Sequence, residues 1–308
     1  MIVNGSHVED IRLSRPAAAV FPVIAEAEHA IRMAPSVVHV EYRARAEDTD
    51  LIERWVLDGG QLRSWRARRF LDPDRGVVRF EHQSPQSPIL RLVGEWRVTR
   101  SQPRETVVQL RHEWTVQGDD TLVRERMQRG TRAQLEGIRK AADLDVRDVT
   151  YRSSRLVEGR IGDVENLLLN PRPWSALLPA GVGAQVVAHG PDWQLVDFRT
   201  DGGTEVIRRI QVRLPVVDPN GIAGVKLAWK DLGALPDGTR VSWGHLLLRP
   251  VDSAVLVSSV RSMSHDAGAA AKSPLPDPLA IFSVPGTAVA APGFDQPVAS
   301  SPLNAVLG

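Results

Sequence analysis

The chain has 308 residues and a formal net charge of +1, from 38 Lys plus Arg and 37 Asp plus Glu, so no global field attracts nucleic acid or an anionic membrane. The absence of cysteine excludes disulfides, thiolate metal sites and a cysteine nucleophile. The length favours about two domains. Because we find neither an apolar run of about 18 residues nor a signal-peptide pattern, we expect a cytoplasmic protein.

The first half predicts a strand, a helix, several antiparallel strands and a long second helix. Residues 1–15 alternate weakly as a strand, and residues 17–28 have helical apolar spacing. Short β-rich segments separated by turn signals follow as far as residue 116. Residues 119–142 return to helical spacing without a proline. The predicted buried stripe of this helix is Leu122, Met127, Leu135 and Ile138.

The second half repeats this beginning but not its ending. A strand near 149–156, a helix over 162–169 and strands between 186 and 260 are predicted. The sequence after Met263 is rich in Ala, Gly and Pro, and no helix of ten residues fits between its prolines. We therefore expect the second domain to lack the long helix. The predicted domains are residues 1–146 and 147–263, followed by a disordered tail, residues 264–308.

Matching turn signals support this internal repeat. They recur in the same order at an offset of about 145 residues. The matched positions are Pro35 with Pro179, Asp58-Gly59-Gly60 with Asp201-Gly202-Gly203, and Asp72-Pro73 with Asp218-Pro219. The sequence therefore predicts an α+β protein of two related domains, each a curved antiparallel sheet.

A curved sheet that grips one long helix leaves a cavity between them, and one strand gives this cavity a chemical character. Trp65, Ala67 and Arg69 share one strand face, while the intervening residues point the other way. An aromatic wall beside a guanidinium suits an apolar ligand rich in oxygen atoms. The alternative is that the arginines lie on a solvated sheet face and Trp65 belongs to the core.

The same residues resemble a known family, the two-domain bacterial type II polyketide aromatase/cyclases, over roughly residues 8–262. The resemblance is carried by three segments, Ser64–Arg69, Gly94-Glu95-Trp96 and Arg172–Pro179. It implies two tandem helix-grip (START-like) domains. It further implies a cofactor-independent enzyme that closes and aromatises the first ring of a poly-β-keto chain tethered to an acyl carrier protein.

The resemblance also assigns candidate substrate-binding residues. In the first domain these are Trp65, Ala67 and Trp96, and Ala67 replaces the small polar residue usual in the family. In the second domain they are Trp174, Arg209 and His245. Gln211 stands where the family often has arginine, and with the missing helix this leaves the activity of the second domain open.

The implied chemistry needs an oxyanion stabiliser and a proton acceptor and donor. Arg69 is the predicted stabiliser, and His82 and His112 are the predicted proton-transfer residues. The alternative for both histidines is an ordinary surface or core role. Glu95 is discounted because it precedes Trp96 and should point outward.

Other chemistries have little support in the sequence. The eight histidines show no HxH or HxxxH spacing, so no metal site is predicted. No phosphate-binding glycine loop is present. Expected partners are the acyl carrier protein and the polyketide synthase and ketoreductase components, with a homodimer left open and no nucleic acid or membrane. The alternatives are a non-catalytic START-like binding protein for an aromatic or lipid-like ligand, or one working domain beside one retained for stability or docking.

Overall fold

The protein folds as two compact units, Met1–Asp145 and Val146–Ser301. The computed structural model describes residues 1–143, 146–174, 176–178, 182–200, 206–218, 220–233, 235, 239–266, 277–283 and 296–298. Among these residues, no helix is long and apolar enough to cross a membrane.

The first unit consists of one seven-stranded antiparallel sheet and three helices. Its elements are β1 (Ile2–Leu13), α1 (Ala17–Ala25), α2 (His29–Met33), β2 (Val37–Arg45), β3 (Thr49–Asp58), β4 (Gln61–Asp72), β5 (Val77–Gln83), β6 (Ile89–Gln102), β7 (Glu105–Gln117) and α3 (Thr121–Asp143). The strand order is β1-β7-β6-β5-β4-β3-β2. Short hairpins join each strand from β2 to β7 to the next one, and β1, from the start of the chain, pairs with β7.

Strand alternation sets the inner face of this sheet. Along β7, Val108, Leu110 and Val116 are fully buried, and the residues of the opposite face, such as Gln109 and Arg111, are more exposed. Helices α1 and α3 cover this face. Ile24 of α1 and Leu135 of α3 belong to the same buried apolar cluster as Val108 and Leu110. The helices and the inner face therefore form one core.

Helix α3 begins at a side-chain cap, and its buried stripe of residues differs in one position from the predicted one. The Asp119 carboxylate accepts hydrogen bonds from the backbone N–H and hydroxyl of Thr121. Leu122 is 78% exposed, whereas Val123 is 6% exposed. The buried face continues through Thr131 at helical spacing, so Leu122 lies off the stripe.

Helices α2 and α3 approach each other closely at a glycine. A Cβ atom on Gly137 would lie 2.2 Å from the carbonyl oxygen of Met33. Only glycine allows this contact.

The predicted helix over residues 17–28 differs from the structure, since α1 ends at Ala25 and α2 follows as a separate short helix.

The second unit repeats the topology of the first. Its elements are β8 (Val146–Glu158), α4 (Ile161–Leu169), α5 (Pro171–Trp174), β9 (Val182–Gly190), β10 (Trp193–Thr200), β11 (Val206–Val217), β12 (Ala223–Leu232), β13 (Thr239–Val251), β14 (Ala254–Asp266), a 3₁₀ helix (Pro278–Ser283) and β15 (Gln296–Val298). The strand order is β15-β8-β14-β13-β12-β11-β10-β9. Apart from β15, this is the order of the first sheet. The predicted α+β architecture of two tandem units is confirmed.

Several predicted features of the second half lie outside the described residues. These are Pro179, Asp201-Gly202-Gly203, Pro219 and the tail residues 267–276, 284–295 and 299–308. The repeat is therefore established by the strand order of the two sheets, since the predicted turn residues of the second half lie outside the described ranges.

Part of the predicted disordered tail is ordered. Strand β14 continues to Asp266, and the 3₁₀ helix packs against β8 and β14. Leu279, Ile281 and Phe282 are at most 7% exposed and belong to the core of the second unit. In the first unit α3 packs against the corresponding strands β1 and β7. The 3₁₀ helix thus covers part of the surface that α3 covers in the first unit. The spacing of the prolines alone did not predict this ordered turn.

We predict that Ile281→Ala destabilises the second unit by about 2–5 kcal/mol, because it leaves a cavity in a closed core. The matched control is Val217→Ala, since Val217 is 70% exposed in the same unit. Urea denaturation of both variants measures the difference. Equal stability of the two variants would show that the tail does not hold the core.

Candidate active site

The predicted facing of β4 matches the structure. Trp65, Ala67 and Arg69 point to the inner face, and Ala67 and Arg69 are each 5% exposed. Arg66, Arg68 and Phe70 are exposed on the outer face. The indole of Trp65 stays partly accessible. The inner face therefore carries the aromatic wall and the small residue that the sequence predicted.

Arg69 is occupied by the protein itself. Its Nε donates to Oδ1 of Asp50 at 2.8 Å and its Nη2 to Oδ2 at 2.5 Å, which is a bidentate pair. The same guanidinium donates to the carbonyl oxygens of Ile24 at 3.5 Å and Ala25 at 2.8 Å. These are carbonyls of the last turn of α1, where a cation is favourable. Arg69 therefore fastens α1 to the sheet, and its role as the oxyanion stabiliser stays a prediction.

One aromatic side chain, Phe80, connects the two predicted histidines along the inner face, and a second, Trp65, stacks on His82. The ring of His82 stacks on Trp65 with centroids 5.8 Å apart. Phe80 lies 6.1 Å from His82 and 5.5 Å from His112. Nδ1 of His112 is 3.0 Å from the hydroxyl oxygen of Thr131 on α3. The structure thus brings Trp65, His82 and His112 into one row.

Both histidines are neutral at physiological pH. Burial lowers the pKa of His82 to about 3, with further contributions from the positive charge of Arg54 and from His112. Burial, with a smaller effect of His7, lowers the pKa of His112 to about 4. A neutral imidazole can accept a proton or a hydrogen bond.

Trp96 and Glu95 behave as their alternation predicted. Trp96 is inward and packs against the apolar cluster that contains residues of α1. Glu95 accepts from Arg79 and Arg97, which are exposed on the outer face. Trp96 therefore lies against the core rather than beside His82, and Glu95 has no place in the inner site.

Arg54 is a site residue that the sequence analysis missed. It lies on β3 directly opposite Trp65 in the sheet register, four residues from Asp50 on the same face. Its Nε is buried without a hydrogen-bond partner. Burial and the charge of Arg69 lower the pKa of Arg54 to about 10. The alternation Asp50-Ile52-Arg54 was the available signal, but β3 carries charges on both faces, so alternation alone could not select this arginine.

The corresponding positions of the second unit carry a different set of side chains. Arg69 lies opposite Asp50 and Phe80, whereas Gln211 lies opposite Gln194 and Trp229. Nε2 of Gln194 donates to Gln211 at 2.5 Å and to the Leu169 carbonyl at the end of α4 at 2.8 Å. A neutral amide pair thus replaces the ion pair while keeping its contact with the helix end.

In the second unit Arg209 lies two residues before Gln211, which holds the position of Arg69. Nε of Arg209 donates to Asp231 at 2.7 Å, and its guanidinium lies 4.1 Å from the ring of Trp229. In the register, Arg209 and Asp231 occupy the places of Ala67 and His82. A cavity of about 10 Å³, lined in part by Arg209 and Trp174, adjoins this pair and has the size of one water molecule.

His245 does not join this group. Its neighbours on β13, Gly244 and Leu246, belong to the inner face, so His245 points to the opposite face together with Ala228 and Val260. The prediction that His245 contacts substrate beside Arg209 is therefore wrong. The register could not be fixed from the sequence, and a shift of one residue reverses the facing.

The two inner faces differ in accessibility. Trp65, His82 and Arg54 are all partly accessible although they point inward. Arg209 and Asp231 are 2% and 3% exposed, and Phe198, at the position of Arg54, is 5% exposed. Arg54 and His82 of the first unit are therefore more accessible than their counterparts Phe198 and Asp231 in the second unit.

A second concave surface lies on the outer face of the first sheet. This groove of about 300 Å³ contains Phe70 and charged residues of β5, β6 and β7. Arg79 is paired there with Glu95, and Arg111 with Glu113. Because these residues point away from α1 and α3, the groove is separate from the inner site. Across the described ranges, no cluster of three or more His, Asp or Glu side chains is arranged to hold a metal ion.

We predict that Arg69→Met destabilises the first unit by about 3–5 kcal/mol, because Asp50 is then a buried charge without its partner. The double variant Asp50→Leu/Arg69→Met should recover most of this loss, since both charges are removed. Urea denaturation measures the three proteins. A single variant as stable as the parent would show that the pair does not hold α1.

We predict that stability falls as the pH decreases from about 7 towards 4, because the unfolded histidines take up protons that His82 and His112 resist in the folded state. The slope is at most about 1.4 kcal/mol per pH unit for each histidine. His112→Gln keeps an acceptor for Thr131 but does not titrate, so its slope should be smaller. An unchanged slope in His112→Gln would contradict this assignment.

Comparison with known proteins relates the sequence of the first unit to one family. Residues 13–139 match the family described as polyketide cyclase / dehydrase and lipid transport. The granaticin polyketide synthase bifunctional cyclase/dehydratase of Streptomyces violaceoruber is 26% identical over 214 residues, 66% of each chain. The actinorhodin counterpart of Streptomyces coelicolor is 29% identical over 141 residues, 45% of this chain and 40% of that protein. The matches thus span less than two thirds of the length of these relatives.

Solved structures agree with the two-unit fold. The di-domain ARO/CYC BexL of the BE-7585A pathway has a TM-score of 0.66 and 19% identity, covering 92% of this chain and 89% of its own. The di-domain ARO/CYC StfQ of the steffimycin pathway has a TM-score of 0.63 and 23% identity, covering 84% and 85%. The predicted resemblance is confirmed: residues 13–139 match the polyketide cyclase / dehydrase family model, the chain is similar in sequence to the cyclase/dehydratases named above, and its fold is that of the di-domain aromatase/cyclases.

Proposed function

We propose that this protein is a cofactor-independent aromatase/cyclase that closes the first ring of a poly-β-keto chain. The observation that carries the proposal is the partly accessible inner face of the first unit, where Trp65, His82 and Arg54 meet. The relatives named as cyclase/dehydratases support the reaction class.

The reaction needs proton transfers but no oxidant. A methylene between two carbonyls loses a proton, and the resulting enolate carbon attacks a distant carbonyl carbon, forming a C–C bond and an alkoxide. Protonation of the alkoxide gives a tertiary alcohol. Loss of a neighbouring proton and of the hydroxyl group as water, followed by enolisation, gives the aromatic ring. Each step balances within the substrate and one released water molecule.

The inner face of the first unit supplies what these steps require. Trp65 provides a flat wall against which an extended chain can fold, and a productive fold alone can contribute about 7–11 kcal/mol to catalysis. His82 stacks on that wall as a neutral imidazole and can accept the methylene proton. An enolate beside it would raise the pKa of His82, which favours the transfer. His112, at the other end of the row, is the second proton-transfer candidate.

Arg69 contributes by position in this proposal. It holds the last turn of α1 against β3 and β4 and so fixes one wall of the site. The second unit, whose counterparts of Arg54 and His82 are less accessible, serves stability or docking. The substrate would arrive on an acyl carrier protein from the polyketide synthase and ketoreductase components, which places the reaction in the cytoplasm.

The alternative is a non-catalytic protein that binds a finished aromatic or lipid-like molecule. The family description includes lipid transport, and a carrier needs an accessible apolar cavity. Two inward-facing neutral histidines and an inward guanidinium favour chemistry over storage, because a carrier gains nothing from polar groups with strongly shifted pKa values.

The test is the product profile of a reconstituted minimal polyketide synthase with ketoreductase, with and without this protein, by liquid chromatography and mass spectrometry. We predict a change from mixed shunt products to one product with an aromatic first ring. Trp65→Ala should reduce this product about 10- to 100-fold, because the chain is no longer held in its reactive fold. Phe70→Ala, on the outer face of the same strand, should behave as the parent.

An unchanged profile with an active synthase would overturn the enzymatic proposal and favour the carrier. If Phe70→Ala lost the product while Trp65→Ala kept it, the reaction would not take place on the inner face.

A further inference from the structure

Three arginines on or beside the inner faces of the two units differ in what holds their guanidinium groups. Arg69 donates to Asp50 and to two carbonyls of α1. Arg209 is paired with Asp231 and stacked on Trp229. Arg54 has neither a carboxylate nor a carbonyl partner among the residues that the structure describes, and its Nε is buried. Nη1 of Arg209 also lacks a partner, but of these three arginines Arg54 is the one without a carboxylate or carbonyl partner among the described residues.

The side chain of Arg54 is partly accessible, but its Nε is buried without a hydrogen-bond partner among the described residues, which is costly for the folded protein. A desolvated charge loses its hydration, and pairing normally compensates for this loss. Asp50, on the same strand, could have compensated a nearby cation, but both of its oxygens are taken by Arg69. The burial of Arg54 is reflected in its pKa, which is lowered to about 10. Such a group is stabilised when an anionic oxygen enters the site.

The surroundings of Arg54 indicate which anion fits. Across the ladder it faces Trp65, whose ring stacks on His82, and its charge contributes to the lowered pKa of His82. A flat, conjugated molecule against Trp65 would thus lie between a guanidinium and a neutral proton acceptor. The enolate of a β-dicarbonyl compound is flat, conjugated and carries two oxygens at a spacing that a guanidinium fork can bind.

We infer that Arg54 is the enolate-binding residue of the first unit and that Arg69 is a positioning residue that does not touch substrate. The inference rests on the proposed function and names the group that receives the developing negative charge. In the second unit Phe198 takes the place of Arg54, so that unit lacks a free guanidinium at this position.

Three variants separate these roles. Arg54→Met removes the charge with similar length, Arg54→Lys keeps a charge but loses the fork, and Arg66→Met removes an outer-face arginine of the same sheet. Because Arg54 has no protein partner, Arg54→Met should have an unchanged or raised urea midpoint, which shows that it folds. In the reconstituted synthase it should reduce the aromatic product about 100-fold or more, as for loss of an oxyanion donor. Arg54→Lys should be intermediate, and Arg66→Met should equal the parent.

A binding measurement distinguishes charge stabilisation from shape. Benzoylacetone, an aromatic β-diketone, changes its absorbance when it ionises, so its apparent pKa can be titrated while bound. We expect the parent to lower this pKa by about 1–3 units relative to Arg54→Met, because the cation favours the enolate. An equal pKa in both proteins would overturn the inference, even if Arg54→Met lost product.

The two proposals fail separately. If the parent protein does not alter the product profile, the proposed function fails. If the parent alters it and Arg54→Met gives the same profile, the enolate-binding role of Arg54 fails while the function stands.

Discussion

The bidentate pair between Arg69 and Asp50 is the contact on which the first unit's site depends. It joins β3 to β4 and, through the carbonyls of Ile24 and Ala25, fastens the end of α1 to the sheet. A buried ion pair is favourable only when its remaining donors are also satisfied, and the helix end satisfies them here. The contact has a further consequence. Because Asp50 is committed to Arg69, no carboxylate on β3 pairs with Arg54, whose Nε has no hydrogen-bond partner among the described residues.

The two units show how one fold can carry two different interiors. The ladder places Gln194 and Gln211 where the first unit has Asp50 and Arg69, and their amides keep the contact with the helix end without charge. A neutral pair cannot balance a neighbouring cation, and the second unit instead pairs Arg209 with Asp231 next to it. In the sheet register, the buried Arg209–Asp231 pair occupies the positions of Ala67 and the partly accessible His82. The lower accessibility of Asp231 than of His82 therefore follows from this pairing of charges.

The sequence predicted the fold more completely than the site. Strand alternation, turn residues and the internal repeat were sufficient for two α+β units and for the facing of Trp65, Ala67 and Arg69. Contacts between residues that are distant in the sequence could not be predicted from these patterns. Whether Arg69 is free depends on Asp50 and on the end of α1, neither of which the pattern of β4 reveals. His245 was misplaced because alternation gives two faces but not which one is covered. The ordered 3₁₀ helix was missed because proline spacing excludes a long helix but not one buried turn.

The central claim is that the chemistry takes place on the inner face of the first unit, beside Trp65 and His82. A crystal structure with a bound aromatic β-diketone tests it most directly. We expect the ligand ring against Trp65, with its oxygens at hydrogen-bond distance from the guanidinium of Arg54 and no contact with Arg69. A ligand bound beside Trp174 in the second unit, or in the outer groove beside Phe70, would contradict the account.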